Sequence, residues 1–361
     1  MPYLPMNCPP HLRPMRRKLL GVAAALPLWA LSPLTVQAAD VQVASADGLR
    51  QIRLSGPGAT VTFPLLRMVE TQALADAGIH LTFSQWRDPD HLRALALEQG
   101  ADFVAMPSNV AANLYNRRVP LQLANISVWG MLSILSRQPG LATLADLKGQ
   151  EIAIPFRADM PDILFQLLAR EQGLDPRRDF TLRYVATPMD AAQLLMSRKV
   201  DHALLSEPAT SMVLRKSQSF PASIVAPDLY RSVDLQQEWG RVLERAPQIP
   251  QAGIVALGAV REDAALMQRF AQAYEAAHAW CLAEPDECGA LVARHIDMLQ
   301  ADAVAEALRH TPARLASAAQ ARGELEYFYG RLLESEPALV GGRLPDDGFY
   351  AAAAAGEEPV R

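Results

Sequence analysis

The chain has 361 residues, half of them hydrophobic, and a formal net charge of −5 at neutral pH. This length and composition predict one large or two mid-sized folded domains and exclude a disordered chain. The acidic balance, together with the lack of a Lys/Arg cluster in the body of the chain, argues against a nucleic-acid partner.

The first 38 residues have the three parts of a secretory signal peptide. A positive start at residues 16–18 precedes an apolar segment at residues 19–31 and the small-residue cleavage motif Val36-Gln37-Ala38. A membrane anchor is the weaker interpretation, because two prolines interrupt an already short apolar run. We therefore expect export to the periplasm, with Met1 or Met15 as the start. Cleavage removes four basic residues and no acid, so the net charge becomes −9.

No stretch after the signal contains the ~18 apolar residues that a spanning helix needs, so no integral membrane segment is expected in the mature chain. The signatures of hydrolases, metalloproteases and kinases are missing from the sequence. The seven histidines are scattered without metal-ligand spacing. We therefore expect neither catalysis nor a cofactor or metal.

The first folded part of the chain alternates strand-like and helical segments. The predicted strands are Ile52–Leu54, Ile79–Phe83 and Asp102–Met106. Each is followed by a loop with candidate ligand-binding residues: Gly58 and Thr60, then Trp86, then Ser108 and Asn109. A glycine lets the backbone approach a ligand, and helix-start amides can bind an anionic group.

A second alternating unit begins at about Glu151. Its predicted strands are Glu151–Ile154, Thr181–Val185 and Val200–Leu205, with helices from Met160 and Met189 between them. This order predicts parallel β-α-β crossovers, in which ligands bind beyond the carboxyl ends of the strands. Candidate ligand-binding residues at these ends are Arg157, Asp159, Thr187 and Glu207.

Three segments resemble periplasmic solute-binding proteins of ABC importers. They are Ala145-Asp146-Leu147-Lys148-Gly149, Gly173-Leu174-Asp175-Pro176 and residues 199–208, which end in Ser206-Glu207-Pro208. The resemblance spans roughly residues 41–334 and is greatest to the branch that serves nitrate, sulfonate, taurine and thiamine-pyrimidine uptake. It implies an α/β, two-lobed type II periplasmic-binding fold with a ligand cleft between the lobes.

The resemblance also implies a function. The expected role is the capture of a small organic or oxyanion solute and its delivery to an ABC permease in the inner membrane. A periplasmic ligand sensor that feeds a membrane receptor is the alternative, because both roles need the same two-lobed structure.

The expected domain organisation follows from the two units and their crossings. Residues 1–38 are the signal, 39–128 the first part of lobe 1, 129–251 lobe 2, 252–340 the second part of lobe 1 with C-terminal helices, and 341–361 a flexible tail. Hinges are expected near Trp129 and Pro250, a further strand at residues 223–226, and irregular structure over residues 229–245.

Cys281 and Cys288 are the only cysteines left after signal cleavage. They lie on either side of a short turn between two predicted helices. In an oxidising compartment such a pair is expected to form a disulfide. A metal pair is the poorer interpretation, because no further Cys or His follows at ligand spacing.

The candidate binding residues carry alternative interpretations. Arg157 could pair with a carboxylate, sulfonate or phosphonate, or be a solvated loop arginine. Trp86 and Trp129 could stack on a flat solute or pack at a hinge. The side chains of Thr60, Ser108 and Asn109 could donate to a solute or serve turn chemistry. Glu207 could accept from an amine or cap the helix after Pro208.

Overall fold

The computed structural model describes residues 48–220, 224 and 226–352. The signal peptide predicted at residues 1–38 lies outside these residues. Eleven strands occur in them. In chain order they are β1 (Arg50–Gly56), β2 (Ile79–Gln85), β3 (Phe103–Pro107), β4 (Leu121–Val128), β5 (Leu132–Ser136), β6 (Glu151–Pro155), β7 (Thr181–Val185), β8 (His202–Ser206), β9 (Tyr230–Asp234), β10 (Ala252–Leu257) and β11 (Ala316–Ser317).

The same residues form eleven α-helices, separated by turns and short 3-10 segments. In chain order they are α1 (Phe63–Glu70), α2 (Pro89–Leu97), α3 (Ser108–Asn116), α4 (Met160–Glu171), α5 (Pro188–Met196), α6 (Ala209–Gln218), α7 (Leu235–Leu243), α8 (Ala264–Ala283), α9 (Pro285–His295), α10 (Ala301–His310) and α11 (Ala318–Ser335). None of these helices combines the length and apolar character needed to cross a bilayer.

The strands form two mixed sheets. One has the order β11-β4-β10-β3-β1-β2, and the other has the order β7-β6-β8-β5-β9. In the second sheet β6 pairs in parallel with β7 and β8, as the strand-helix alternation predicts. In the first sheet β1 pairs in parallel with β2 and β3, while β10 runs antiparallel between β3 and β4. We call the first sheet with its helices lobe 1, and the second sheet with α4–α7 lobe 2.

Two short interlobe segments, residues 128–131 and 249–251, connect the lobes and form hydrogen bonds with each other. The amide of Ile249 donates to the carbonyl of Trp129 at 3.0 Å, and the amide of Gln251 donates to the carbonyl of Val128 at 3.0 Å. Gly130 directly follows Trp129. It has φ 140°, and a Cβ on it would lie 1.9 Å from the side chain of Gln236. Only glycine therefore fits where the chain enters lobe 2.

The C-terminal helix α11 packs against both lobes. Its Phe328 ring lies 5.8 Å from the ring of Trp239 in α7 of lobe 2, and Tyr329 donates to the carbonyl of Ser108 at 2.9 Å. Trp129, Trp239 and Phe328 belong to one continuous apolar core. Both lobes therefore share part of their buried surface with this helix.

The expected flexible tail from residue 341 is wrong for residues 341–352. Phe349 is fully buried, and the amide of Ala351 donates to the carbonyl of Leu123 in β4 at 2.9 Å. Two aromatic side chains, Phe349 and Tyr350, bury enough apolar surface to hold a segment whose composition otherwise resembles a tail. Residues 353–361 lie outside the described part.

The expected structure over residues 223–245 also needs correction. The strand predicted at 223–226 lies partly outside the described residues, and its Ile224 is 71% exposed. The strand that pairs with β5 is β9, and α7 follows directly, capped by Asp234. This helix is hard to predict from its polar sequence, because α7 buries only a single narrow face that includes Leu235 and Trp239.

The expected disulfide between Cys281 and Cys288 is present. It joins the end of α8 to α9, with the two Cα atoms 5.1 Å apart. Both residues are buried in a small apolar core with Leu291 and Val292. The bond therefore fixes the angle between two helices that support α1 and α10.

Replacing both cysteines by alanine should lower the free energy of unfolding by about 2 to 3 kcal/mol, because the bond closes a short loop in the unfolded chain. Urea unfolding of the parent and of the Cys281→Ala/Cys288→Ala variant measures this difference. As a control, a reductant should destabilise the parent and leave the double variant unchanged. Equal stability of the two proteins without reductant would contradict the prediction.

Candidate functional site

A cavity of about 640 Å³ lies between the two lobes. Its walls come from the loops that follow β1, β2 and β3 in lobe 1 and β6, β7 and β8 in lobe 2, so the carboxyl ends of the parallel strands of both sheets meet there. The interlobe segments contribute Met131 and Gln251. The end of α9 contributes His295, and the turn between α9 and α10 contributes residues 297–299.

The lining is mostly apolar. Of its 30 residues, eight are polar or charged. These eight are Gln85, Arg87, Asp159, Thr187, Ser206, Gln251, His295 and Asp297. The rest are mainly methionine, proline, leucine and alanine, with Trp86 and Phe156 as aromatic members. Such a lining favours a ligand with a substantial apolar body and few polar groups.

An ion pair crosses from one lobe to the other at the edge of the cavity. Asp159 caps α4 of lobe 2 by accepting from the amide of Met160 at 2.9 Å, and Arg93 of α2 in lobe 1 donates to its other oxygen at 2.9 Å. Asp159 is only 5% exposed. Burial raises the pKa of Asp159, against the opposing effects of the Met160 amide and Arg93.

Five polar groups of the lining remain available for a ligand: the side chains of Gln85, Arg87, Ser206 and Asp297, and the Nε2 of Gln251. Arg87 and Asp297 are exposed, and neither side chain has a hydrogen-bonding or ionic partner among the described residues. Gln251 accepts from the amide of Met131 at 2.8 Å, which leaves its Nε2 as a buried donor without a partner in the same part of the chain. By contrast, His295 is already 3.2 Å from a carboxylate oxygen of Glu70.

The loop after β6 shows how the backbone selects the residues that face the cavity. Phe156 and Ala158 have φ of 57° and 60°, a left-handed conformation that is uncommon for residues other than glycine. The amide of Ala158 donates to buried Asp162 at 2.8 Å, which holds the loop in place. Phe156 and Asp159 line the cavity as a result, whereas Arg157 between them does not.

Solved structures with the same architecture include an ABC transporter and periplasmic binding proteins. An ABC transporter from Parabacteroides distasonis has a TM-score of 0.67 and 25% identity, with 83% of this chain and 98% of that chain covered. The periplasmic aliphatic sulphonate-binding protein SsuA from Escherichia coli has a TM-score of 0.62 and 17% identity, covering 81% and 97%. The periplasmic nitrate-binding protein NrtA from Synechocystis PCC 6803 has a TM-score of 0.62 and 12% identity, covering 80% and 82%.

This chain has the fold of the periplasmic binding proteins of ABC importers. The resemblance and the two-lobed α/β fold predicted from the sequence are thereby confirmed. No protein-family model and no curated protein matches the sequence.

Four of the ten predicted binding residues line the cavity of this periplasmic-binding fold: Gly58, Trp86, Asp159 and Thr187. Trp86 donates its indole N–H to the carbonyl of Ala105 at 2.9 Å, so its ring forms part of the wall. Thr187 caps α5 by accepting from the amide of Asp190 at 3.2 Å. Asp159 and Thr187 thus have structural roles in addition to facing the cavity.

Four other predicted residues, Thr60, Ser108, Asn109 and Trp129, are buried outside the lining. Thr60 contacts the Sδ of Met131 at 3.7 Å, behind the wall. Ser108 donates to the carbonyl of Pro250 at 2.5 Å and so does not cap α3. Trp129 packs at the crossing beneath the guanidinium of Arg314, 3.5 Å from its ring. The alternative of hinge packing therefore describes Trp129.

Arg157 and Glu207, the two charged candidates of lobe 2, also lie outside the lining. The Arg157 guanidinium is 5.1 Å from the ring of Tyr184 and is exposed. Glu207 is 3% exposed, forms an ion pair with Arg231 at 2.6 Å and accepts from the amide of Ser211 in α6 at 3.2 Å. The arrangement therefore favours the solvated-arginine and helix-capping interpretations over the ligand contacts.

Sequence reasoning missed Arg87 and the methionines of the lining. Arg87 directly follows Trp86 at the end of β2, so its position after a strand was a usable signal. Methionine carries no comparable signal, because a methionine in a helix or strand is equally expected in a core.

The interlobe ion pair leads to a prediction about opening. Arg93→Ala would leave the desolvated carboxylate of Asp159 without its counter-charge, at a cost of about 1 to 3 kcal/mol. Since separation of the lobes would return Asp159 to water, the variant should open, and small-angle scattering at pH 7 should show a larger radius of gyration than for the parent.

The effect should depend on pH in a defined direction. The pKa of Asp159 is raised, so its ionisation disfavours the observed arrangement, and the difference should shrink as pH falls through that pKa. Adding Asp159→Asn should restore the parent radius, because an amide oxygen still caps α4. Arg269→Ala, which breaks a pair with Asp76 inside lobe 1, is the matched control. A parent-like radius for Arg93→Ala would refute the prediction.

Proposed function

We propose that this chain is the substrate-binding component of an ABC importer. It captures an organic solute with an anionic group in the interlobe cavity, in the periplasm, and delivers it to an inner-membrane permease. The observation that carries the proposal is the position of the cavity, where the carboxyl ends of strands from both lobes meet. Closure of the lobes around a bound solute would give a permease a surface that differs between the loaded and empty forms.

The size and lining of the cavity support an organic solute over an inorganic oxyanion. A cavity of about 640 Å³ is in the range that encloses a molecule of many atoms. Nitrate would fill little of it and would leave most of the apolar lining without contacts. An organic molecule would instead remove that lining from water, which favours binding in proportion to the area buried.

The groups without partners support an anionic or acceptor-rich end on the solute. The guanidinium of Arg87 can donate two parallel hydrogen bonds to a carboxylate or sulfonate. The Nε2 of Gln251 is a second donor that lacks an acceptor in the described residues. Arg87 thus takes over the role that sequence reasoning gave to Arg157.

Closure and binding can be tested together. Thermal-shift screening of carboxylates, sulfonates, phosphonates, pyrimidines and amino acids should find a solute that stabilises the protein, by about 2.7 kcal/mol at 100 times its dissociation constant. Small-angle scattering with that solute should show compaction. If no organic solute stabilises the protein or changes its radius of gyration, the proposed function fails.

Two matched substitutions test the charge of the solute. Arg87→Gln should weaken binding of an organic anion by roughly 10- to 150-fold, because hydrogen bonds to charged groups contribute about 1.5 to 3 kcal/mol. Asp297→Asn, which removes the opposite charge from another exposed lining residue, should not weaken it. Calorimetry on both variants decides the point. The reverse pattern would identify a cationic solute and overturn the assignment of Arg87.

A further inference from the structure

Methionine is concentrated in the interlobe cavity. Six of the nine methionines in the described residues line it: Met106, Met131, Met160, Met189, Met212 and Met298. The lining holds roughly a tenth of the described residues, so an even distribution would place about one of the nine there. The enrichment therefore marks this cavity as different from the rest of the protein interior.

The six thioethers surround the cavity on several sides. Met106 and Met298 belong to lobe 1, Met131 to the interlobe segment, and Met160, Met189 and Met212 to lobe 2. Met106 is 1% exposed and Met298 is 58% exposed, so the set extends from the floor of the cavity to its mouth. A solute held between the lobes would meet sulfur from both.

Thioether side chains differ from leucine or valine in two ways that matter for a ligand. The sulfur atom is polarizable and makes favourable contacts with aromatic rings at ~5 Å. The unbranched chain has three rotatable bonds, so a methionine wall adapts to ligands of different shape. Trp86 and Phe156 add two aromatic side chains to the same lining, and aromatic rings pair favourably with one another.

We infer that the solute is an aromatic carboxylate or sulfonate, and that the site accepts a range of such compounds. Its ring system lies among the thioethers of both lobes, and its anionic group faces Arg87. This inference rests on the proposed function, because it assigns the ligand of the same cavity. To the proposed organic anion it adds an aromatic ring system, a feature that does not follow from the cavity size or from Arg87.

Pairs of ligands that differ only in aromatic character test the inference. Calorimetry on the purified protein should compare benzoate with cyclohexanecarboxylate, and 2-naphthalenesulfonate with its saturated counterpart decalin-2-sulfonate. A thioether–ring contact makes binding roughly 2- to 10-fold tighter, so several contacts should make each aromatic anion bind at least 10-fold more tightly than its saturated partner.

The second test uses substitutions of methionine by leucine, which keep the volume and apolarity of the side chain but remove the sulfur. The variant Met160→Leu/Met189→Leu/Met212→Leu should lose most of the preference for the aromatic member of each pair, while binding of the saturated member changes little. Met196→Leu is the matched control, because Met196 lies on α5 like Met189 but outside the lining. Its preference should equal that of the parent.

The outcomes separate this inference from the proposed function. Saturated anions that bind as tightly as aromatic ones and close the lobes would overturn the aromatic assignment and leave the importer role standing. A triple variant that retains the aromatic preference would overturn the role of the thioethers. Stoichiometric binding of Cu(I), a soft ion that thioethers favour, without binding of any aromatic anion would also overturn it. No binding of any organic solute, with no closure, would overturn both.

Discussion

The geometry of this protein depends on the hydrogen bonds between its two interlobe segments. Val128 and Trp129 on the outgoing segment accept from Gln251 and Ile249 on the returning one, and both segments are buried. Backbone groups that are paired away from water are costly to separate, so the crossing acts as a fixed axis. Met131 and Gln251, which line the cavity, belong to this crossing.

The two lobes contact each other in two different ways around this axis, through an apolar core and through an ion pair. On one side α11 packs apolar side chains such as Phe328 against lobe 2, in a core that both lobes share. On the other side the ion pair between Arg93 and Asp159 joins the lobes at the cavity edge. An ion pair exchanges readily with water when the lobes part, whereas an apolar core does not, so relative motion is expected on the side of the cavity.

The chemistry of the cavity follows from which polar groups are already satisfied. Trp86, Thr187 and Asp159 use their polar atoms within the wall, so they shape the cavity more than they recognise a charge. Glu207 is likewise committed to Arg231 and to the start of α6. The groups that remain among the described residues are Gln85, Arg87, Ser206, Asp297 and the Nε2 of Gln251, and most of the other lining residues are apolar. Recognition of this kind favours an apolar body with one polar end.

The sequence by itself determined the strand-helix order of the two α/β units, the parallel crossovers, the disulfide and the loops that reach the cavity. These features depend on apolar periodicity, on capping residues such as Asp159 and on the position of a loop after a strand, all of which are local along the chain. Its failures in secondary structure had a common cause. The helix α7 and the segment with Phe349 were missed because one narrow apolar face, or two aromatic residues, gives a weak local signal.

Only the tertiary structure decided which side chain of each loop faces the cavity. In the loop after β6, two left-handed residues turn Phe156 inward and leave Arg157 outside. Elsewhere the decision depends on partners distant in sequence, as for Asp159 with Arg93, which are 66 residues apart. A charged residue binds a ligand only if no such partner has neutralised it, and pairing across the fold cannot be read from the residues on either side of it.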